Sequence, residues 1–262
     1  MKQHQARKRF GQNFLTDHGI IERIVRGINP VAGEKLIEIG PGLGALTCPL
    51  LKLAGELDVI ELDRDIIPKL SHNCGQYGAL RVHQCDVLEF DFATLASERS
   101  LRIVGNLPYN ISTPIIFHLV AHAHIIRDMH FMLQKEVVER LAAAPNSADY
   151  GRLSIMAQLQ FAITPLFLVP PQAFYPQPKV ESAIVRLVPH STPLVELSNP
   201  QTFADLVKQA FSQRRKTLHN TLKDRCDDSM LLAVGINPGQ RAQELSIEQF
   251  ASLSNRLDAY KK

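Results

Sequence analysis

The amino-acid sequence predicts an α/β domain followed by a small all-helical domain. From residue 35 to about residue 188, short apolar runs alternate with stretches of helical periodicity, which is typical of a mostly parallel sheet with crossover helices. Residues 189–193 contain proline, serine and threonine, and only helical patterns follow them. We therefore predict one domain over residues 1–190 and a second over residues 191–262.

Each strand of the predicted sheet is a short run of β-branched and large apolar residues that lies between turn signals. The last two of these runs could form an antiparallel hairpin at the edge of the sheet. The expected strands cover residues 36–39, 57–60, 79–84, 101–104, 129–133, 163–169 and 182–188.

The carboxy-terminal segment carries apolar residues three or four positions apart, which is the spacing of one face of a helix. Two such stripes are present, and we interpret both as parts of the core of a small helical domain. The first contains Phe203, Leu206, Val207, Ala210 and Phe211, and the second contains Ile247, Phe250, Leu253 and Leu257.

The composition is that of an ordinary globular protein, with 45% hydrophobic residues among 262. A net charge of +3 is too small to imply nucleic-acid binding by itself. Residues 1–9 are basic and polar, with no apolar stretch behind them that resembles a signal, and no later segment is an apolar span of membrane length. We therefore expect a cytoplasmic protein that does not contact a membrane.

Cysteine and histidine spacing gives no pattern of a structural metal site. The four cysteines are expected to be reduced thiols, and the histidines near them, or four positions apart on a helix, are expected to be structural or solvated. We therefore predict no metal. The residues concerned are Cys48, Cys74, Cys85, Cys226, His72, His83, His118 and His122.

A glycine-rich turn, residues 40–44 (GPGLG), joins the first predicted strand to a helix. Glycines such as Gly40 and Gly42 let the backbone approach a ligand closely beside the helix amino terminus. Glu61 ends the next strand, where its carboxylate can accept hydrogen bonds from the ribose hydroxyls of an adenosine-containing cofactor. Asp86 can accept from the cofactor's adenine amine, or can instead cap a local turn. Taken alone, the glycine pattern also suits an NAD-dependent oxidoreductase.

The segment Asn106-Leu107-Pro108-Tyr109-Asn110 predicts a site for an exocyclic amine of a nucleobase. Such an amine is a weak nucleophile until its nitrogen becomes pyramidal, and acceptors for its N–H bonds favour that geometry. The side-chain oxygen of Asn106 and the carbonyl of Leu107 or Pro108 can be those acceptors, while Tyr109 offers a flat face for the base. A turn that caps a buried strand is the alternative interpretation.

These residues occur in the order seen in a known family, and the whole chain resembles the rRNA adenine N6,N6-dimethyltransferases. The carboxy-terminal segments are more similar to the bacterial small-subunit enzymes than to the macrolide-resistance enzymes. The matching segments are residues 11–15 (GQNFL), 38–44 (EIGPGLG), 61–63 (ELD), Asp86, 106–110 (NLPYN), 150–154 (YGRLS), 174–180 (FYPQPKV) and 211–218 (FSQRRKTL).

The resemblance implies a Rossmann-like domain that binds S-adenosylmethionine and needs no metal. It places Asn13 and Leu15 at the methionine end of the cofactor, and Gly40 beside the cofactor. It also implies that Phe174 stacks on the target adenine opposite Tyr109. In the same comparison Glu61 contacts the ribose, Asp86 the adenine, and Asn106 both substrates.

The implied substrate is a pair of adjacent adenosines in a hairpin loop near the 3′ end of 16S rRNA, within an immature small subunit. Two basic clusters then predict contacts with RNA phosphates, although a charge run is more often a solvated helix face. We expect a monomer. An assembly factor whose binding matters more than its catalysis is the alternative function. The clusters are Lys2, Arg7, Lys8 and Arg9, and Arg214, Arg215, Lys216 and Lys223.

Overall fold

The computed structural model describes residues 13–95 and 100–260, which form two compact units. The first unit comprises Met1–Val138 and Ala162–Pro189, and the second comprises Glu139–Phe161 and His190–Lys262. The predicted contacts of Lys2, Arg7, Lys8 and Arg9 lie outside the described residues.

A seven-stranded mixed sheet forms the first unit, as the sequence predicts. Its strands are β2 (Lys35–Ile39), β3 (Glu56–Ile60), β4 (Ala79–His83), β5 (Leu101–Asn106), β6 (Ile126–Gln134), β7 (Phe161–Val169) and β9 (Ser182–Pro189). They lie in the order β4-β3-β2-β5-β6-β9-β7. Strands β2 to β6 are parallel, and β9 is antiparallel to β6. Two further strands, β1 (Phe14–Leu15) and β8 (Phe174–Tyr175), form a separate antiparallel ribbon.

Among the residues that the structure describes, the α-helices wholly within this unit are α1 (His18–Ile28), α2 (Thr47–Ala54), α3 (Ile67–Cys74) and α4 (Ser112–Ala121). Asp17 starts α1, because its side chain accepts a hydrogen bond from the Ile20 amide at 3.0 Å. Asn29 ends the helix in the left-handed conformation at φ 49°. The buried residues Ile21, Ile24, Val25 and Ile28 follow helical spacing, so one face of α1 packs on the core.

Arg102 is a buried charge in the first unit, and its guanidinium is held by two carboxylates and two carbonyls. Asp128 and Glu34 each accept from it at 2.8 Å. The carbonyls of Ile28 and Asn29, at the end of α1, accept at 2.6 and 3.2 Å. Because its donors have partners, the desolvation cost of burying this cation is offset. The cluster joins the end of α1 to β5 and β6.

The strand order reverses between β2 and β5, which are parallel neighbours although β3 and β4 lie between them in sequence. Ligands of such sheets bind in the crevice at the carboxyl ends of the strands where the order reverses. Gly105 allows a close approach here, because a Cβ atom built on it would lie 2.5 Å from the Ile39 carbonyl oxygen. The ends of these two strands are therefore next to each other.

The second unit is helical and has its own core. Besides the end of α5 (Lys135–Ala142), it contains α6 (Arg152–Gln160), α7 (Pro200–Ala210), α8 (Leu218–Leu222), α9 (Asp228–Leu232) and α10 (Ile247–Tyr260). The unit differs from the predicted second domain, because residues 139–161 join it from the middle of the chain. Tyr150 and Ile155 from that segment are fully buried in the same cluster as Phe203 and Phe250, so packing rather than chain order sets the boundary.

Two of the four cysteines are paired, so the prediction of four reduced thiols is wrong. Cys48, in the first turn of α2, forms a disulfide with Cys74 at the end of α3, while Cys85 and Cys226 are free thiols. The 26-residue separation follows no sequence motif, because it depends on how the two helices pack. None of the helices in the described ranges is both long and apolar enough to span a bilayer.

We predict that the denatured protein exposes two titratable thiols without reductant and four after reduction, because the Cys48–Cys74 bond is retained in the first case. Thiol titration in guanidinium chloride measures both values. Four thiols in the unreduced sample would contradict the pairing.

Where the bond is intact, Cys74→Ser should lower the free energy of unfolding by about 3 kcal/mol, since the bond restricts the unfolded chain.

Candidate active site

A cavity of about 1000 Å³ lies in the first unit at the carboxyl ends of the central strands. Most of its wall is built from five short segments that follow β2, β3, β4 and β5 or surround β1, and further lining residues come from in and around helices α1 to α4. These segments are residues 13–16, 38–46, 60–62, 85–87 and 106–111. The structure thus brings the glycine turn, both predicted acidic residues and the Asn106 segment to one site.

The glycine turn leaves β2 and immediately meets the end of β5. Gly40 has φ 66°, a conformation that disfavours other residues, and its amide donates to the Ile60 carbonyl at 3.0 Å. A Cβ atom on Gly40 would lie 3.8 Å from the Asn106 carbonyl oxygen. The main chains of the donor turn and the acceptor segment are therefore in near contact, and Gly42 lines the cavity beside them.

Two carboxylates that the sequence assigned to a cofactor line the cavity. Glu61 follows β3 and is only 8% exposed, and burial raises the pKa of its carboxyl. Its Oε1 accepts a hydrogen bond from the Asp63 amide at 2.8 Å. Asp86 follows β4, and its Oδ1 accepts from the Leu88 amide at 2.9 Å. The local turn and the cavity wall thus use the same aspartate, so the two interpretations of Asp86 are compatible.

Asn106 ends β5, and its amide group is held in one orientation. The side-chain Nδ2 donates to the Asn13 carbonyl at 3.0 Å, which leaves Oδ1 as the atom that can accept a hydrogen bond. Among the described residues no donor contacts Oδ1. Asn13 and Leu15 line the same cavity. The segment before α1 therefore sets the direction of the Asn106 amide.

The residues after Asn106 turn into α4. The Leu107 amide donates to the Met132 carbonyl at 3.2 Å, and the Pro108 carbonyl accepts from the Ile111 amide at 3.2 Å. The turn therefore uses part of the acceptor capacity of Pro108, whereas the Leu107 carbonyl accepts no such bond within the described part of the chain. Of the two carbonyls that the sequence left open, the Leu107 carbonyl is thus the better second acceptor.

Tyr109 lines the cavity, and its hydroxyl is held in place by a hydrogen bond. The hydroxyl shares a hydrogen bond of 2.6 Å with the hydroxyl of Ser182, a fully buried residue at the start of β9. Burial raises the pKa of Tyr109. Sequence reasoning missed Ser182, because nothing local connects it to a tyrosine 73 positions away.

Phe174, which the family resemblance predicts to stack on the target adenine, lies in the core in this structure. Its side chain is 4% exposed and belongs to the hydrophobic core, where β8 pairs it with Leu15. It does not line the described cavity. In this structure the ring has no face open to a base, because core packing occupies it, so stacking on the target adenine would require the side chain to move.

Glu38 is a cavity residue to which the sequence analysis gave no role. Its carboxyl is 2% exposed, and the Thr47 hydroxyl donates to its Oε2 at 2.6 Å. Burial, together with the nearby charge of Glu61, raises the pKa of Glu38 to about 8. At neutral pH this side chain is therefore mostly a neutral acid.

The basic residues of the carboxy-terminal cluster differ in their contacts with the rest of the second unit. Arg214 donates to the carbonyls of Ala148 and Tyr150 at 2.6 and 3.2 Å, so it holds the turn before α6. Arg215, Lys216 and Lys223 are exposed. Arg214 thus has a structural task, whereas its contact with an RNA phosphate stays a prediction.

His118 and His122, the two histidines four positions apart on a helix, contact protein groups in this structure. His118 and His122 pack on each other with ring centroids 5.0 Å apart, and the Phe90 carbonyl lies 3.0 Å from Nε2 of His118. Within residues 13–95 and 100–260, no group of three or more histidine, cysteine or acidic side chains is arranged to hold a metal ion.

The fold and the site together define a class of enzyme. A glycine turn, an acidic strand end and an Asn-Leu-Pro-Tyr segment in one cavity are the features of an S-adenosylmethionine-dependent methyltransferase that acts on an amine. The chain belongs to the family described as Ribosomal RNA adenine dimethylase, whose pattern matches residues 3–259. It is therefore an S-adenosylmethionine-dependent rRNA methyltransferase, and the NAD-dependent alternative is wrong.

Similar proteins agree with this family over almost the whole chain. Ribosomal RNA small subunit methyltransferase A of Chromohalobacter salexigens is 56% identical, covering 97% of this chain and 92% of the relative. The protein of that name from Saccharophagus degradans is 55% identical, covering 98% and 96%. Among solved structures, a dimethyladenosine transferase from Plasmodium falciparum has a TM-score of 0.78 and 27% identity, covering 92% of this chain and 95% of the other. The 23S rRNA methyltransferase ErmE has a TM-score of 0.71 and 25% identity, covering 94% and 100%.

We predict that the free energy of unfolding of Glu38→Gln rises relative to that of the wild type as the pH rises from about 5 to about 8. Folding raises the pKa of Glu38 to about 8, so the folded state holds this proton more tightly than the unfolded state. The group's contribution to the free energy of unfolding therefore falls across that range and is constant above it, whereas glutamine does not titrate. Urea unfolding of both proteins at several pH values measures the difference.

Glu89→Gln, which removes an exposed carboxyl from the same unit, is the matched control. Its free energy of unfolding should differ from that of the wild type by nearly the same amount at pH 5 and at pH 8. A difference between Glu38→Gln and the wild type that is the same at pH 5 and pH 8 would contradict the raised pKa.

Proposed function

We propose that this chain methylates the N6 amines of two adjacent adenosines in a hairpin loop near the 3′ end of 16S rRNA. We further propose that it acts as a monomer in the cytoplasm on an immature small ribosomal subunit. The relatives named as small-subunit enzymes support this substrate. The observation that carries the proposal is the fixed Asn106 amide beside the glycine turn.

Asn106 and Leu107 hold the amine. With Nδ2 committed to the Asn13 carbonyl at 3.0 Å, Oδ1 accepts one N–H of adenine, and the Leu107 carbonyl accepts the second. These two partial negative charges favour a pyramidal nitrogen and stabilise the positive charge that develops as the new C–N bond forms. No general base is needed, because the methylated ammonium is acidic enough to lose its proton to water.

Tyr109 holds the plane of the base. An adenine must leave its stack to enter the cavity, which costs a few kcal/mol, and stacking on an aromatic ring returns about 1–3 kcal/mol. The bond to Ser182 at 2.6 Å restrains the tyrosine ring through its hydroxyl. Ser182 is thus a positioning residue.

The cofactor is held by the other side of the cavity. Its adenosine contacts are Glu61 for the ribose and Asp86 for the adenine, and the close backbone approach at Gly40 and Gly42 supplies room beside them. Asn13 and Leu15 face the methionine end. When bound, S-adenosylmethionine supplies a methyl group on a positively charged sulfur, which is already a good leaving group.

We predict that Asn106→Ala lowers kcat for methyl transfer by about 100- to 1000-fold, as is typical when one charge-stabilising group is lost from a preorganised site. Binding of small-subunit particles should persist, because phosphate contacts elsewhere supply most of the affinity. Transfer of labelled methyl groups to particles that lack the modification measures the first effect, and filter binding measures the second.

Asn110→Ala removes an amide of the same size from an exposed position of the same segment and should cost far less. If Asn106→Ala keeps wild-type turnover, the amide does not hold the amine. If wild-type protein binds particles but transfers no methyl groups, the alternative of a pure assembly factor takes precedence.

We predict that the double variant Arg215→Gln/Lys216→Gln weakens RNA binding and makes it less sensitive to salt. Both side chains are exposed, and each lost phosphate contact reduces the slope of log affinity against log salt concentration by about 0.7–0.9. The slope should therefore become shallower by about 1.4–1.8. Titrations of RNA at several salt concentrations measure it.

Arg26→Gln/Lys52→Gln is the matched control, since it removes the same charge from exposed positions on α1 and α2. Equal slopes for the two double variants would show that net charge, rather than a contact surface, controls binding. Arg214 is left intact because its loss would also release the carbonyls of Ala148 and Tyr150.

A further inference from the structure

The β1–β8 ribbon presents two different faces. Phe14 pairs with Tyr175, and Leu15 pairs with Phe174. Residues directly opposite each other in an antiparallel pair lie on the same face, and successive residues alternate between faces. Leu15 and Phe174 are 5% and 4% exposed, so their face is the core side. Phe14 and Tyr175 share the other side.

Both residues of β1 line the active-site cavity, and Phe14 does so from the face that it shares with Tyr175. Phe14 lines that cavity, and its ring carbons lie 3.2 Å from the position of a Cβ atom on Gly42. Tyr175 stands next to Phe14 on this face but is not part of the cavity wall. It therefore lies at the rim, outside the space that the target base would enter.

Tyr175 is 73% exposed, which is the largest value among the large hydrophobic side chains of the described residues. A partner that covers a ring exposed to this extent removes apolar area from water, which favours binding. The residues that follow it up to Glu181 are mostly exposed as well, and Lys179 adds a positive charge to them. An exposed aromatic ring with an exposed cation four residues further along the chain suits single-stranded nucleic acid, where the ring stacks on a base and the cation contacts a phosphate.

We propose that Tyr175 stacks on the base next to the target adenosine and thereby positions the RNA at the rim of the cavity. This inference rests on the proposed function, because it assumes an extruded adenine in the cavity. Stacking there holds the neighbouring nucleotide at the rim while the target adenine occupies the cavity. Tyr175 reads no sequence, because every base offers a flat face.

The test compares Tyr175→Ala and Tyr175→Phe in methyl transfer to small-subunit particles that lack the modification. Loss of one stacked base lowers kcat/KM by about 5- to 150-fold for Tyr175→Ala. Tyr175→Phe keeps nearly wild-type kcat/KM, since stacking uses the face of the ring and not the hydroxyl. The affinity for S-adenosylmethionine, measured by calorimetry on each variant, stays unchanged because the residue lies outside the cavity wall.

Tyr77 provides the matched control. It is also an exposed tyrosine, at 42%, but it precedes β4 and so lies at the amino ends of the strands, away from the cavity. Tyr77→Ala should leave kcat/KM unchanged. If Tyr175→Ala behaves like Tyr77→Ala, or if Tyr175→Phe loses as much as Tyr175→Ala, the proposal is overturned.

A second readout does not depend on catalysis. The chain contains no tryptophan, so Tyr175→Trp introduces a single indole at the rim, and Tyr77→Trp introduces one at the control position. Stacking on a base quenches indole emission, and adding particles should therefore quench Tyr175→Trp well beyond Tyr77→Trp. Equal quenching would overturn the proposal. If wild-type protein transfers no methyl groups, the proposed function fails, and the emission comparison still decides whether Tyr175 meets a base.

Discussion

The close approach of β2 and β5 at their carboxyl ends is the constraint on which the active site depends. A side chain at Gly105 would place its Cβ atom 2.5 Å from the Ile39 carbonyl oxygen, so glycine is needed where the strands converge. The turn that starts at Gly40 leaves one strand and Asn106 ends the other. A methyl donor and an amine acceptor can therefore meet in one cavity, although their binding segments are far apart in sequence.

Local sequence information was sufficient to predict the sheet and to single out the glycine turn and the proposed acceptor segment, which line one cavity. Each of these is specified by neighbouring residues: strands by short apolar runs, the turn by glycines, and the acceptor by Asn106 with a following proline. The order of the strands then brings Glu61 and Asp86 to the same edge without further information. The α/β class and the helical carboxy-terminal region followed from the same patterns.

Features that depend on distant packing could not be predicted in this way. Which side of a two-residue strand faces the core is decided by its partner, so the sequence did not show that the side chain of Phe174 is buried. The Cys48–Cys74 bond requires two helix ends to meet, and Ser182 reaches Tyr109 from another strand. Residues 139–161 join the second unit because that unit's core buries Tyr150. None of these relations leaves a periodic trace in the sequence.

The direction of the Asn106 amide also bears on how a finished base differs from an unfinished one. Because Nδ2 donates to the Asn13 carbonyl, Oδ1 is left to hold the base, and an acceptor oxygen can hold only an atom that carries a hydrogen, as the amine of adenine does. Each transfer replaces one hydrogen of the amine by a methyl group. After the second transfer no hydrogen remains, so the acceptors that held the adenine lose their partner and a finished base is bound less tightly than an unfinished one. The direction of one amide thus gives the enzyme a means of distinguishing product from substrate.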